Sequence, residues 1–148
     1  MPFRLKPHDL PGRIATGAYI LHAGLQKWNA DEARANGVHG MAAGAFPVLK
    51  SVPPTRFVRM LAAGEIVTGA ALLSPFVSTA LAGAALTAFS GSLVTMYLRT
   101  PALREPGSIW PSQAGIGVSK DVWMLGIGLG FLADATFRPR RGSPGSDG

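Results

Sequence analysis

Apolar residues fall into four blocks along this chain, separated by polar and proline-bearing stretches. The first block, Ile14–Trp28, follows Arg13 and closes on Lys27 and Trp28. It is short for a membrane span, since about 20 residues cross the hydrocarbon core, and gains the length if the helix runs on at both ends. Pro53, Pro54 and Arg56 open the second block, Phe57–Leu73. The third, Phe76–Leu98, ends at Arg99 and Pro101, and only Ser74 and Pro75 part it from the second. No charged residue stands between Glu65 and Arg99. That is too long for one helix, and Ser74-Pro75 supplies the break. Lys120 and Asp121 open the fourth block, Val122–Phe137.

The pattern predicts an all-α integral membrane four-helix bundle, with spans at about 13–32, 56–73, 76–98 and 121–137. A polar N-terminal segment, 1–12, would precede it, and a disordered basic tail, 138–148, would follow. A soluble bundle would need polar helix faces, and Leu72–Leu98 offers only Ser and Thr for one. The first block lacks a convincing cleavage site, so it reads as a retained helix and not a signal peptide. Val38–Leu49, in the long connection Asn29–Thr55, reads equally as an interfacial or re-entrant segment and as an ordinary loop.

Composition changes this picture little. Charged residues make up 15% of the 148, against roughly 25% in soluble domains. Mean hydropathy is only +0.25, because 19 glycines, 12 prolines and the polar ends dilute it. The net charge of +6 does not imply a nucleic-acid partner. The cations sit at the ends of apolar blocks, with no basic stripe interleaved with aromatics. With no cysteine, the chain has no thiol nucleophile and no Cys-ligated metal or cluster.

Four spans put both termini on one side. Arg4, Lys6, Arg13, Arg138, Arg140 and Arg141 lie there, and eight cations, from Lys27 to Lys120, lie on the other. The counts are close. Three arginines directly after the last span tip the expectation toward cytoplasmic termini.

Glu65 is the residue that most needs an explanation. It lies nine residues beyond Arg56, roughly 13 Å along a helix that rises about 1.5 Å per residue. An acid near the bilayer midplane must be paired or protonated, and it is a functional candidate by default. His22 and Gln26 stand four apart on the first helix, which places them on one face. That face is expected to turn toward Glu65, with Lys27 nearer the interface. His22 would need a second intramembrane histidine to hold haem, and His8 and His39 lie outside the spans. No HxxxH or HExxH spacing supports a metal site, so no cofactor is expected. Gly126, Gly128 and Gly130 fail the dinucleotide-loop pattern, because position 131 is Phe. Gly126 and Gly130, four apart, suggest close helix packing, either inside the bundle or in a dimer. Asp134 and Arg138 read as a solvated pair at a helix end. Lys120 and Asp121 read as a helix-start pair, with Asp121 as a cap.

Several of these residues carry a resemblance. The first block reads Arg13-Ile-Ala-Thr-Gly17 and then Ala23-Gly24-Leu25-Gln26-Lys27-Trp28. The second carries Gly64-Glu65 followed by Gly69, and the fourth opens Lys120-Asp121-Val122-Trp123-Met124-Leu125-Gly126. Over roughly residues 10–137 the sequence resembles the DoxX-like family of small bacterial membrane proteins. The resemblance implies a four-helix membrane bundle, multi-pass in the plasma membrane, and a link to membrane redox complexes. It marks Gly24, Lys27, Glu65 and Lys120 as family-like positions. Gly24, Gly64 and Gly69 join Gly126 and Gly130 as expected packing glycines. The first functional expectation is a non-enzymatic subunit or anchor of a membrane complex, bound to other membrane proteins or to its own copies. The second is a small transporter or quinone-interacting component that uses Glu65.

Overall fold

A computed structural model of the chain describes residues 5–136. The tail 138–148, with Arg138, Arg140 and Arg141, lies outside the described residues. Four long helices form the body: α1 (Leu10–Trp28), α3 (Pro54–Leu73), α4 (Thr79–Arg99) and α6 (Asp121–Thr136). A further helix, α2 (Glu32–Ala45), fills the first long connection, and one turn, α5 (Ile116–Ser119), leads into α6. Among the described residues there is no strand, only an isolated bridge between Arg104 and Pro111. The all-α bundle expected from the block pattern is the fold observed.

Local chemistry sets the boundaries. Pro11 and Pro54 occupy first-turn positions in α1 and α3, where a missing N–H costs nothing. Asp31 caps α2 by accepting the Arg34 amide at 2.8 Å, and Ser78 caps α4 by accepting the Leu81 amide at 3.2 Å. Pro75 forces Ser74 out of the helical region, to ψ 127°. The turn therefore runs over residues 74–78, and α4 starts at Thr79, not at Phe76.

Arg13 closes that turn. It is only 1% exposed. Its Nε donates to Leu72 O at 2.8 Å, and its Nη2 donates to Ala71 O, Ser74 O and Val77 O at 3.0, 2.8 and 3.0 Å. Its Nη1 donates to Thr79 Oγ1 at 3.0 Å, and that hydroxyl donates to buried Asp9 at 3.2 Å. The last carbonyls of a helix have no intrahelical partner, and this guanidinium supplies one for α3. Arg13 is thus no flanking interfacial charge. Asp9 and the start of α1 at Leu10 draw the end of the expected polar segment into the fold.

α1 runs antiparallel to α3, and α4 runs antiparallel to α6. Each pair meets at glycines. A Cβ added to Gly69 would stand 2.7 Å from Leu21 N, and one on Gly24 would stand 2.9 Å from Glu65 Cβ. In the second pair, a Cβ on Gly83 would meet Phe131 Cβ at 2.7 Å, and one on Gly128 would meet Thr87 N at 3.0 Å. Close backbone approach is how helices gain contact in lipid. Of the expected packing glycines, Gly24 and Gly69 serve. Gly64 meets only the Phe89 ring at 3.9 Å, and Gly126 and Gly130 meet nothing within 4 Å. Gly128, two residues from each, faces α4 instead. A helix turns about 200° in two residues, so its neighbours face away.

Ile20, Leu72, Ala82, Leu86, Met124 and Phe131 form the central core. The outside is apolar as well, with Val67, Leu81 and Trp123 at 66%, 63% and 76% exposure. Thr79–Arg99 and Ile116–Thr136 are long and apolar enough to cross a membrane. α1 and α3, with 19 and 20 residues, are comparably long but carry Arg13, Lys27, Arg56, Arg59 and Glu65. Arg13, Lys27 and Glu65 spend their charge inside the bundle, so average hydropathy understates how apolar these helices are outside.

Candidate functional site

The connections Asn29–Pro53 and Thr100–Lys120 lie at the end of the bundle opposite the Ser74–Ser78 turn. There the four long helices splay around a cavity of about 520 Å³. Ile20 and Ala23 of α1, Phe57 and Leu61 of α3, Phe89, Leu93 and Met96 of α4, and Met124 of α6 form apolar walls. α2 closes it with Val38, Met41 and Ala42. His39 holds α2 in place, with its Nε2 2.8 Å from Leu49 O and its ring 5.7 Å from that of Phe57, edge to face. The connection Asn29–Thr55 is long because it carries this cover. Val38–Leu49 is accordingly the end of a helix and the 3₁₀ turn after it.

Charged groups gather in the otherwise apolar wall. Lys27 Nζ donates to Glu65 Oε1 at 2.8 Å and to Oε2 at 3.1 Å. The Glu65 side chain is 6% exposed and that of Lys27 is 21% exposed. Lys120 Nζ stands 5.0 Å over the Tyr19 ring, a cation–π distance. Asp121, 4% exposed, occupies the first turn of α6, where the helix dipole favours a carboxylate. It lines the same cavity as Lys120, Glu65 and Lys27. Arg34 of α2, exposed, completes the polar lining.

Of the residues singled out in the sequence, the fold brings Lys27, Glu65, Lys120 and Asp121 to this one cavity. It does not bring His22 or Gln26, which are exposed. The expected face of α1 is therefore corrected. Gly24 faces Glu65, and residues two before and two after it point about 200° away. Lys27, three residues on from Gly24, shares its side. Sequence reasoning missed Tyr19, Arg34 and the whole of α2 as parts of the site. The available signal was the small-residue face itself. Gly17, Gly24 and Lys27 lie on one side of α1, and Glu65 and Gly69, four apart, lie on one side of α3.

At the opposite end, the ligand atoms of His8, Asp9 and Asp134 lie within 4.8 Å of one another. No spacing in the sequence foretold this group. The Lys6 ammonium already sits on Asp134, and Thr79 donates to Asp9.

The cavity suits a molecule with an apolar body and a polar end. Its size falls in the range of small-ligand sites, roughly 300–1,000 Å³. The aromatic and methionine walls accept a ring. The ammonium groups of Lys27 and Lys120 can donate to a ligand oxygen, and Glu65 holds the first of them in place.

The DoxX family model matches residues 8–98, more than half of the chain, from the 3₁₀ turn before α1 through almost all of α4. Comparison with curated proteins and with solved structures returns no match.

Proposed function

The chain belongs to the DoxX family of membrane proteins, and from that premise we propose that it is a binding subunit of a membrane redox complex whose cavity holds a quinone-type ring. The observation that carries this reading is the Lys27–Glu65 ion pair in the wall of a 520 Å³ apolar cavity. A quinone is apolar over most of its surface and has two carbonyl oxygens that accept hydrogen bonds. Lys27 and Lys120 are the donors, and Glu65 fixes the first of them. Phe57 and Phe89 flank the ring.

Reducing a quinone takes two electrons and two protons. The chain has no cysteine, so in this reading a partner membrane protein supplies the electrons. The subunit's own part is to bind, to orient, and to deliver protons from its ammonium and carboxyl groups. This unites the anchoring role expected from the resemblance with the expected quinone contact. The protein works in the bacterial plasma membrane with both termini cytoplasmic, associated with other membrane proteins or with its own copies.

Thermal unfolding in lipid nanodiscs with a short-chain quinone tests the reading. A ligand present at 100 times its Kd stabilises by about 2.7 kcal/mol. Wild type should gain that stability, and Glu65→Gln should not. If Glu65→Gln loses the quinone but still co-purifies with partners, binding and anchoring are separate properties of the chain. If saturating quinone stabilises neither protein, the cavity does not serve quinones.

A further inference from the structure

A second concavity, of about 550 Å³, lies on the outside of the bundle where the end of α1 meets the start of α3. It shares no lining residue with the cavity described above. At its polar end are Arg56, Arg59 and Thr55. Arg59 holds its guanidinium 5.9 Å over the Trp28 ring. Both arginines are exposed, and neither has a carboxylate within 4.0 Å among the described residues.

The start of α3 adds to this positive end. Its N-cap, Pro53, provides no side-chain cap. The first amide bonded back is that of Phe57, to Pro53 O. The amides of Thr55 and Arg56 precede it, in the turn where a helix leaves its donors free. Farther along α3 the concavity becomes apolar, with Ala63 and with Met60 64% exposed.

The end of the bundle that holds this site also carries all the tryptophans. Trp28, Trp110 and Trp123 are 47%, 71% and 76% exposed there. Exposed tryptophans mark a membrane–water interface. The arginines therefore lie at headgroup depth, and Met60 and Ala63 lie at acyl-chain depth.

We propose that this groove is a binding site for an anionic phospholipid, with the phosphate between Arg56 and Arg59 and an acyl chain along Met60 and Ala63. Charge complementarity selects the anionic lipid. Zwitterionic lipids carry the same phosphate, but their own cation offsets it. Arg59, oriented by Trp28, presents the planar fork that matches phosphate oxygens.

The test uses the full chain with Trp110→Phe and Trp123→Phe, so that Trp28 alone reports. The protein is placed in nanodiscs of phosphatidylcholine containing a small fraction of acyl-brominated lipid, either phosphatidylglycerol or phosphatidylcholine. Bromine quenches tryptophan on contact. Two arginines near a membrane surface are expected to enrich the brominated phosphatidylglycerol around Trp28 roughly 10- to 30-fold. The ratio of quenching by the two lipids should fall toward unity in R56Q/R59Q and take an intermediate value in R56K/R59K, which keeps the charge but loses the fork. Using that ratio within each variant cancels the change that R59Q itself makes around Trp28. Equal quenching by both lipids in the Trp28-only protein overturns the proposal, with no charge variant needed. So does a preference that survives R56Q/R59Q. If tens of millimolar inorganic phosphate abolishes the preference at constant ionic strength, the site serves free phosphate, and the lipid assignment falls.

Discussion

Removing either partner of the Lys27–Glu65 pair should destabilise the bundle, and by unequal amounts. In Lys27→Met the carboxylate stays, 6% exposed, with its donor gone. Breaking a buried pair in this way costs about 3–5 kcal/mol. In Glu65→Leu the ammonium stays, on a flexible stem already 21% exposed. It can extend toward the cavity, so the cost should be nearer 1–2 kcal/mol, in the lower part of the range for an unsatisfied polar group. The double variant K27M/E65L replaces both charges with apolar groups of similar volume, which is often nearly neutral. It should lie within about 1 kcal/mol of wild type if the apolar pair packs as well as the ion pair. The coupling energy is then at least about 3 kcal/mol, well above the ~0.5 kcal/mol within which independent sites add. Reversible unfolding in mixed micelles, followed by circular dichroism, gives all four stabilities. If the two single changes simply add, the pair is not a structural unit and the site assignment loses its basis. If E65L costs more than K27M, the burial argument has the wrong sign.

Arg13→Met should cost about 3–5 kcal/mol, because it strips a buried charge network and the carbonyls it serves. Arg13→Lys should recover only part of that, since a point ammonium cannot reproduce the fork; thermal unfolding of both checks this. Gly69→Ala should destabilise by about 1–3 kcal/mol through overpacking against Leu21. Gly126→Ala and Gly130→Ala should be neutral or stabilise by up to about 1 kcal/mol from helix propensity; destabilisation by either would show a packed neighbour on that face. Cysteines introduced one at a time at Arg34 and Ser112 should react with a membrane-impermeant reagent from the same side of sealed vesicles, opposite to one at Pro75. Labelling of Ser112 and Pro75 from one side would break the four-span arrangement.

Two of the expectations about contacts within the bundle that the fold corrects share one cause. Gly126 and Gly130 flank Gly128, the residue that meets α4, and His22 and Gln26 flank Gly24, the residue that meets Glu65. In both helices the spacing between residues was right and the rotation was off by two residues, or about 200°. A sequence gives the period of a helix. Its phase depends on which neighbour it packs against, and for α1 that neighbour is about 40 residues away in the chain. Hydropathy marked the other face poorly, because lipid and core are both apolar and leave no polar stripe to orient a helix. The fate of Arg13 was hidden for a similar reason. At the end of an apolar block it looked like an interfacial cation, and only the approach of the α3–α4 turn gave it five acceptors.

What the chain declares by itself is its solvent and its elements. The charge-free apolar stretch from residue 66 to 98, broken at Ser74-Pro75, suits helices in lipid, where backbone groups must bond within their own segment. A lone acid at mid-helix, Glu65, declares that a partner or a proton must meet it. The identity of that partner, the joining of Lys120 and Asp121 to the same cavity, and the use of the first long connection as its cover were decided by packing. Those facts depend on the mutual rotation and depth of α1, α3 and α6. Steric fit at Gly24, Gly69 and Gly128 fixes them, and contacts between distant segments are not written in the order of residues along any one of them.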